Sequence, residues 1–276
     1  RSLELADLVA ILFTLTTAFS TMIAIRGFEI NQRYYLPLMA ALFAWGVADL
    51  LYYLEGNFFR GDPANSSSLL MLYILFNLLL LGSVVMYFAN RIRSWHRIQL
   101  YTDLIAMSVI TAMLVGNAFF MRLPTFQPFG INTVVVILSV LIDMSIFFLL
   151  IVMLANMKIA SLMPSQIVYG AGLFFFLIVD ATFLYQFMVG GYSRHNFVDQ
   201  LYYASFIVFS FAIALEYYTN RGKSLDNERL DLQVFRSSTL LLIVVPLVLL
   251  FRLTNLISTI VLIRLIAICV IYYLVR

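Results

Sequence analysis

The chain of 276 residues is 63% apolar and 11% charged, with a mean hydropathy of +0.98, against roughly 45–50% apolar and about 25% charged in soluble domains. That balance excludes a cytosolic globular enzyme, a disordered chain, a fibre and a nucleic-acid binder, and it leaves an all-α integral membrane protein in contact with lipid. The net charge of +3 is small, so its weight lies in where the arginines fall.

Runs of the ~20 residues that cross a bilayer predict about nine transmembrane helices, at 4–25, 35–54, 67–89, 100–121, 132–156, 166–189, 199–218, 237–251 and 256–275. The runs are continuous rather than alternating, which argues against membrane strands. The eighth is short and contains Pro246. It and the ninth can be read as a shallow hairpin, leaving seven full crossings. With the N-terminus outside, Arg26, Arg33, Arg91, Arg93, Arg97, Lys158, Arg221, Lys223, Arg229, Arg236 and Arg276 fall inside, against Arg1, Arg60, Arg122, Arg194 and Arg252 outside. This bias predicts a multi-pass plasma-membrane protein with its N-terminus outside and its C-terminus cytoplasmic. The chain lacks an initiating methionine and stops on Arg276 directly after an apolar run, as expected of a region cut from a longer protein.

Internal matching adds organisation. An offset of 131 aligns Ala40, Leu42, Phe43 and Asp49 with Ala171, Leu173, Phe174 and Asp180, and an offset of 130 aligns Asn90-Arg91 with Asn220-Arg221. The expectation is two tandem parallel four-helix repeats, 1–131 and 132–251, followed by a final helix in 252–276.

Ionisable groups inside an apolar span cost about 2.5–3.5 kcal/mol on insertion scales, which makes each a functional candidate. Asp49 shares a helix face with Trp45, Gly46, Tyr52 and Tyr53, while Asp180 shares one with Phe176, Leu177, Phe183 and Leu184, with Tyr185 one step round. Two readings compete. The aspartates line an outward cavity with aromatic walls, suited to a small amphipathic or cationic ligand, or they accept tyrosine hydroxyls and pin the bundle. Arg60, Arg122, Arg194 and Arg252 rim such a cavity or act as snorkelling anchors. Asp143 and Arg264 fall at similar depth in their spans, which predicts a buried ion pair with a structural or switching use.

Other chemistry is sparse. Cys269 stands alone, and His96 and His195 sit in polar connectors, so no disulfide, no metal site and no bis-histidine haem is expected, nor any other cofactor. His195 and Asp199 read as a surface pair. The basic segment 90–99 reads as an interface anchor for anionic lipid. No HExxH, intramembrane-protease Gly-x-Gly-Asp or phosphate-cradling loop is present, so no catalytic residue is assigned.

The stretch Leu173-Phe174-Phe175-Phe176-Leu177-Ile178-Val179-Asp180, followed by Tyr185, Gly190-Gly191-Tyr192 and Asp199-Gln200-Leu201-Tyr202, resembles the repeated helical membrane region N-terminal to GGDEF and EAL domains in bacterial cyclic di-GMP signalling proteins. Leu42-Phe43, Asp49, Tyr52-Tyr53 and Gly56 echo it, although Ser66-Ser67-Ser68 stands where the second stretch opens on Asp199. The resemblance implies a sensor or anchoring module without enzymatic activity of its own. It would pass a signal through the final helix to a cytoplasmic diguanylate cyclase or phosphodiesterase domain, as a homodimer through that output domain. A small secondary transporter is the alternative, but Gly46 has no counterpart at Leu177 and Pro246 none at Val115, so matched helix breaks are missing. An integral membrane lipid enzyme comes third, for want of a catalytic set.

Overall fold

A computed structural model describes residues 11–19, 22–23, 33–57, 66–91, 94–122, 131–156, 163–189, 197–220 and 261–268. Among these residues the fold is all-helical: α1 (11–19), α2 (Tyr35–Asn57), α3 (Ser67–Arg91), α4 (Ser94–Arg122), α5 (Ile131–Asn156), α6 (Pro164–Val189), α7 (Phe197–Asn220) and α8 (261–268).

The helix starts follow from local chemistry. Pro164 occupies the first turn of α6, where its missing N–H costs nothing. Met163 O accepts from Gln166 N at 2.9 Å, and Gln166 Oε1 reaches back to Met163 N at 3.3 Å, a reciprocal cap. Ahead of α3, Ser66 O accepts from Leu70 N at 3.1 Å, and the Ser66 hydroxyl donates to Glu55 of α2 at 2.9 Å. Asp199 places a negative charge in the first turn of α7, where the helix dipole favours it.

The number of crossings corrects the sequence expectation. Among the described residues, four helices are long and apolar enough to span a bilayer, over Tyr35–Glu55, Ser68–Phe88, Pro164–Leu184 and Phe197–Thr219, not nine or seven. α4 and α5 are 29 and 26 residues long, and Leu100–Leu114 and Ile137–Val152 are their shorter apolar stretches among the residues described. Only 11–19 and 261–268 of the first and last predicted spans are described, and the run at 237–251 lies outside the described residues.

The chain forms two compact units interleaved in sequence, one holding α1, α2, α3, α6 and α7 and the other α4, α5 and α8. In the first unit α6 packs along α7, and in the second α4 packs along α5.

Within the first unit the neighbours alternate in direction. Trp45 of α2 meets Tyr73 and Phe76 early in α3, while Tyr34, just before α2, meets Tyr87 late in α3. Tyr202 early in α7 meets Asp180 late in α6, and Glu216 late in α7 meets Ser165 early in α6. Two glycines allow close approach. A Cβ on Gly46 would lie 2.9 Å from Leu15 of α1, and one on Gly172 would lie 2.9 Å from the Phe209 ring of α7. The outer faces carry exposed Phe43, Met71, Leu75, Phe174, Ile178, Ile207 and Phe211. Spanning helices that are apolar on both faces are solvated by protein on one side and by lipid on the other.

Candidate functional site

An aromatic layer fills the first unit at the level of the late turns of α2 and α6. Trp45 lies 4.9 Å from Phe76, 4.9 Å from Tyr202 and 5.1 Å from Phe206, ring centre to ring centre. Phe176 closes the layer, 5.3 Å from Phe76 and 5.7 Å from Tyr202, with Phe183 at its edge, 6.2 Å from Tyr202. Pairs in this range contribute about 0.5–1.5 kcal/mol beyond the area they bury. Four helices are thereby held at one level.

Both aspartates sit on this layer. The Tyr202 hydroxyl donates to Asp180 Oδ1, and the Tyr203 hydroxyl donates to Asp49 Oδ2 at 3.2 Å. Asp180 is 6% exposed, whereas Asp49 is half-buried. Consecutive tyrosines on α7 point about 100° apart around the helix, so one reaches α6 and the other α2. Three buried polar atoms in and beside the layer have no hydrogen-bond partner: Trp45 Nε1, Asn77 Oδ1 and Asp180 Oδ2.

A second polar layer lies at the opposite end of the same unit. Tyr34, Tyr35, Tyr87 and Tyr169 are fully buried there, and their rings are 4.2–6.2 Å apart, from Tyr34–Tyr35 to Tyr87–Tyr169. The Ser83 hydroxyl lies 2.7 Å from the Tyr34 carbonyl, to which it donates, and 2.8 Å from the Tyr169 hydroxyl. Glu216, 1% exposed, accepts from the Ser165 hydroxyl.

In the second unit the polar groups line the α4–α5 seam. The Ser108 and Ser145 hydroxyls meet at 3.1 Å, and Asp103, Thr111, Ser139 and Asp143 are buried nearby on the same helices. Asp143 is buried on α5 while Arg264 is exposed on α8.

The structure brings together Asp49, Trp45, Phe176, Asp180 and Phe183, with Tyr202 at the centre. Tyr52 and Tyr53 continue α2 beyond Asp49, half-buried. Tyr185 and Arg122 lie on helices but their side chains are outside the described set, and Arg60, Arg194 and Arg252 lie outside the described residues. Four buried or bonded residues escaped the sequence reading as site candidates: Asn77, Tyr202, Tyr203 and Glu216. Glu216 carried the signal that singled out the aspartates, an ionisable group inside an apolar run. The two tyrosines carried none beyond their composition.

Among the described residues, no cluster of three or more metal-ligating side chains occurs. The buried polar layers and the apolar outer faces together define a multi-pass, all-helical membrane protein in contact with lipid. Comparison with protein-family models, with curated proteins and with solved structures returns no match to this chain.

Proposed function

We propose that the chain is the sensor and anchoring region of a bacterial signalling protein, with its C-terminus cytoplasmic. A small ligand at the aspartate–aromatic layer biases the packing of α7, and the change is passed through the C-terminal part of the chain to a cytoplasmic cyclic di-GMP-forming or -degrading domain. The output domain would hold the protein as a homodimer.

The observation that carries this reading is the pair of consecutive tyrosines on α7, one bonded to Asp180 of α6 and the other to Asp49 of α2. A rotation or a shift of ~1–2 Å in α7 changes both bonds together, the kind of discrete rearrangement that switching helices use. The resemblance around Asp180 supports the same reading.

Two measurements test it. The reading frame downstream of Arg276 should encode a GGDEF or EAL motif. In the full-length protein, Asp180→Asn should change cellular cyclic di-GMP while the protein remains in the membrane. A frame without either motif, or unchanged output together with unchanged thermal stability, refutes the proposal.

A further inference from the structure

The aromatic layer holds one orphaned donor, Trp45 Nε1, and two orphaned acceptors, Asn77 Oδ1 and Asp180 Oδ2, all buried. An unpaired buried polar group destabilises the fold, and a buried tryptophan N–H ordinarily finds a partner. Three such atoms are gathered on α2, α3 and α6, with Tyr202 touching two of the three residues: its ring lies 4.9 Å from Trp45, and its hydroxyl bonds Asp180. Phe76, next to Asn77 in the chain, packs against both Trp45 and Phe176 at 4.9 and 5.3 Å.

The inventory of donors and acceptors selects the chemistry of an occupant. An ammonium group donates but cannot accept from the indole; a carboxylate accepts but cannot donate to Asp180. A water molecule accepts once and donates twice, and a buried water is held by 2–4 polar partners. An alcohol hydroxyl accepts from the indole and donates to one acceptor.

We infer that Trp45, Asn77 and Asp180 form a binding site for a single O–H group, supplied by a buried water or by the hydroxyl end of an amphipathic alcohol. As a site, this stands on the three atoms; as the ligand of a sensor, it rests on the function proposed above. The O–H group accepts from Trp45 Nε1 and donates to Asp180 Oδ2, with Asn77 Oδ1 taking the second proton when the group is water. It ties α2, α3 and α6 together at the level where α7 meets both aspartates.

Ultraviolet resonance Raman spectroscopy of the full chain in a hydroxyl-free detergent tests the assignment. Trp95→Phe leaves Trp45 as the remaining one of two tryptophans, so the indole N–H band reports a single group. The band should sit at its hydrogen-bonded position and move to the free position in Asp180→Leu. Where Asp180→Leu does not accumulate, Asp180→Asn replaces the acceptor by an amide, and the band should shift in the same direction. Titration with 1-decanol separates the sources. A band shift and raised thermal stability, both lost in the Asp180 variant, identify an alcohol site; no response beside a bonded indole identifies water. A free N–H in the parent, or a bonded N–H indifferent to Asp180, overturns the inference. So does Asp180-dependent stabilisation by decylammonium with none by 1-decanol beside an unchanged N–H band. None of these outcomes depends on a downstream signalling domain.

Discussion

The Tyr203 hydroxyl donates to Asp49 at 3.2 Å, although 154 residues separate them. The preceding residue, Tyr202, donates to Asp180 on another helix. One turn of α7 therefore joins the late turns of α2 and α6, and the two aspartates that stood out in the sequence are linked through it.

The two bonds should differ in strength because their burial differs. Asp180 is buried and Asp49 half-buried. Tyr202→Phe removes the donor from a buried carboxylate and should destabilise the fold by about 1–3 kcal/mol, whereas Tyr203→Phe should cost about 0.5–1.5 kcal/mol. Chemical unfolding in detergent micelles compares them, and equal losses would contradict the burial argument.

Gly172 and Gly82 form a matched test of helix approach. A Cβ on Gly172 would meet two Phe209 ring carbons at 2.9 Å, while one on Gly82 would meet only Pro37 at 3.9 Å. Phe209 is fully buried and has little room to move, so Gly172→Ala should cost about 1–3 kcal/mol. Gly82→Ala should be neutral or stabilising by up to ~1 kcal/mol through helix propensity. Thermal melts of the two variants decide the ordering.

Ser165 holds the buried Glu216 carboxyl from the neighbouring helix. Ser165→Ala should destabilise by about 1–3 kcal/mol because one carboxyl oxygen loses its donor inside the unit. Ser165→Thr keeps the hydroxyl and should retain more stability than Ser165→Ala. If both substitutions cost the same, volume rather than the hydrogen bond governs the position.

The lipid-facing assignment is tested at Phe174, which is 51% exposed in the middle of a spanning helix. Phe174→Asp should cost about 2.5–3.5 kcal/mol in insertion and lower the amount recovered in membranes. Phe174→Leu should be recovered at the level of the parent. Equal recovery of the aspartate variant would place this face in water.

Local chemistry made part of the site legible. Asp49 and Asp180 announced themselves because a carboxyl group within an apolar run must be satisfied by something. Trp45 and Phe176 followed because they lie one turn from an aspartate on the same face. Glu216 lies close to the predicted end of a span, and its burial against Ser165 comes from a neighbouring helix that periodicity does not reveal. Tyr202, Tyr203 and Asn77 have the same composition as many lipid-facing positions, and only contact distinguishes them.

Composition by itself determined that this chain is helical and lies in a membrane, since backbone groups surrounded by hydrocarbon must be satisfied within each segment. Tertiary structure alone decided which described helices share a core and what each buried polar group touches. Solvation by lipid acts on every apolar residue alike, whereas the partner of a buried carboxyl is chosen by shape and hydrogen-bond geometry between helices distant in the chain.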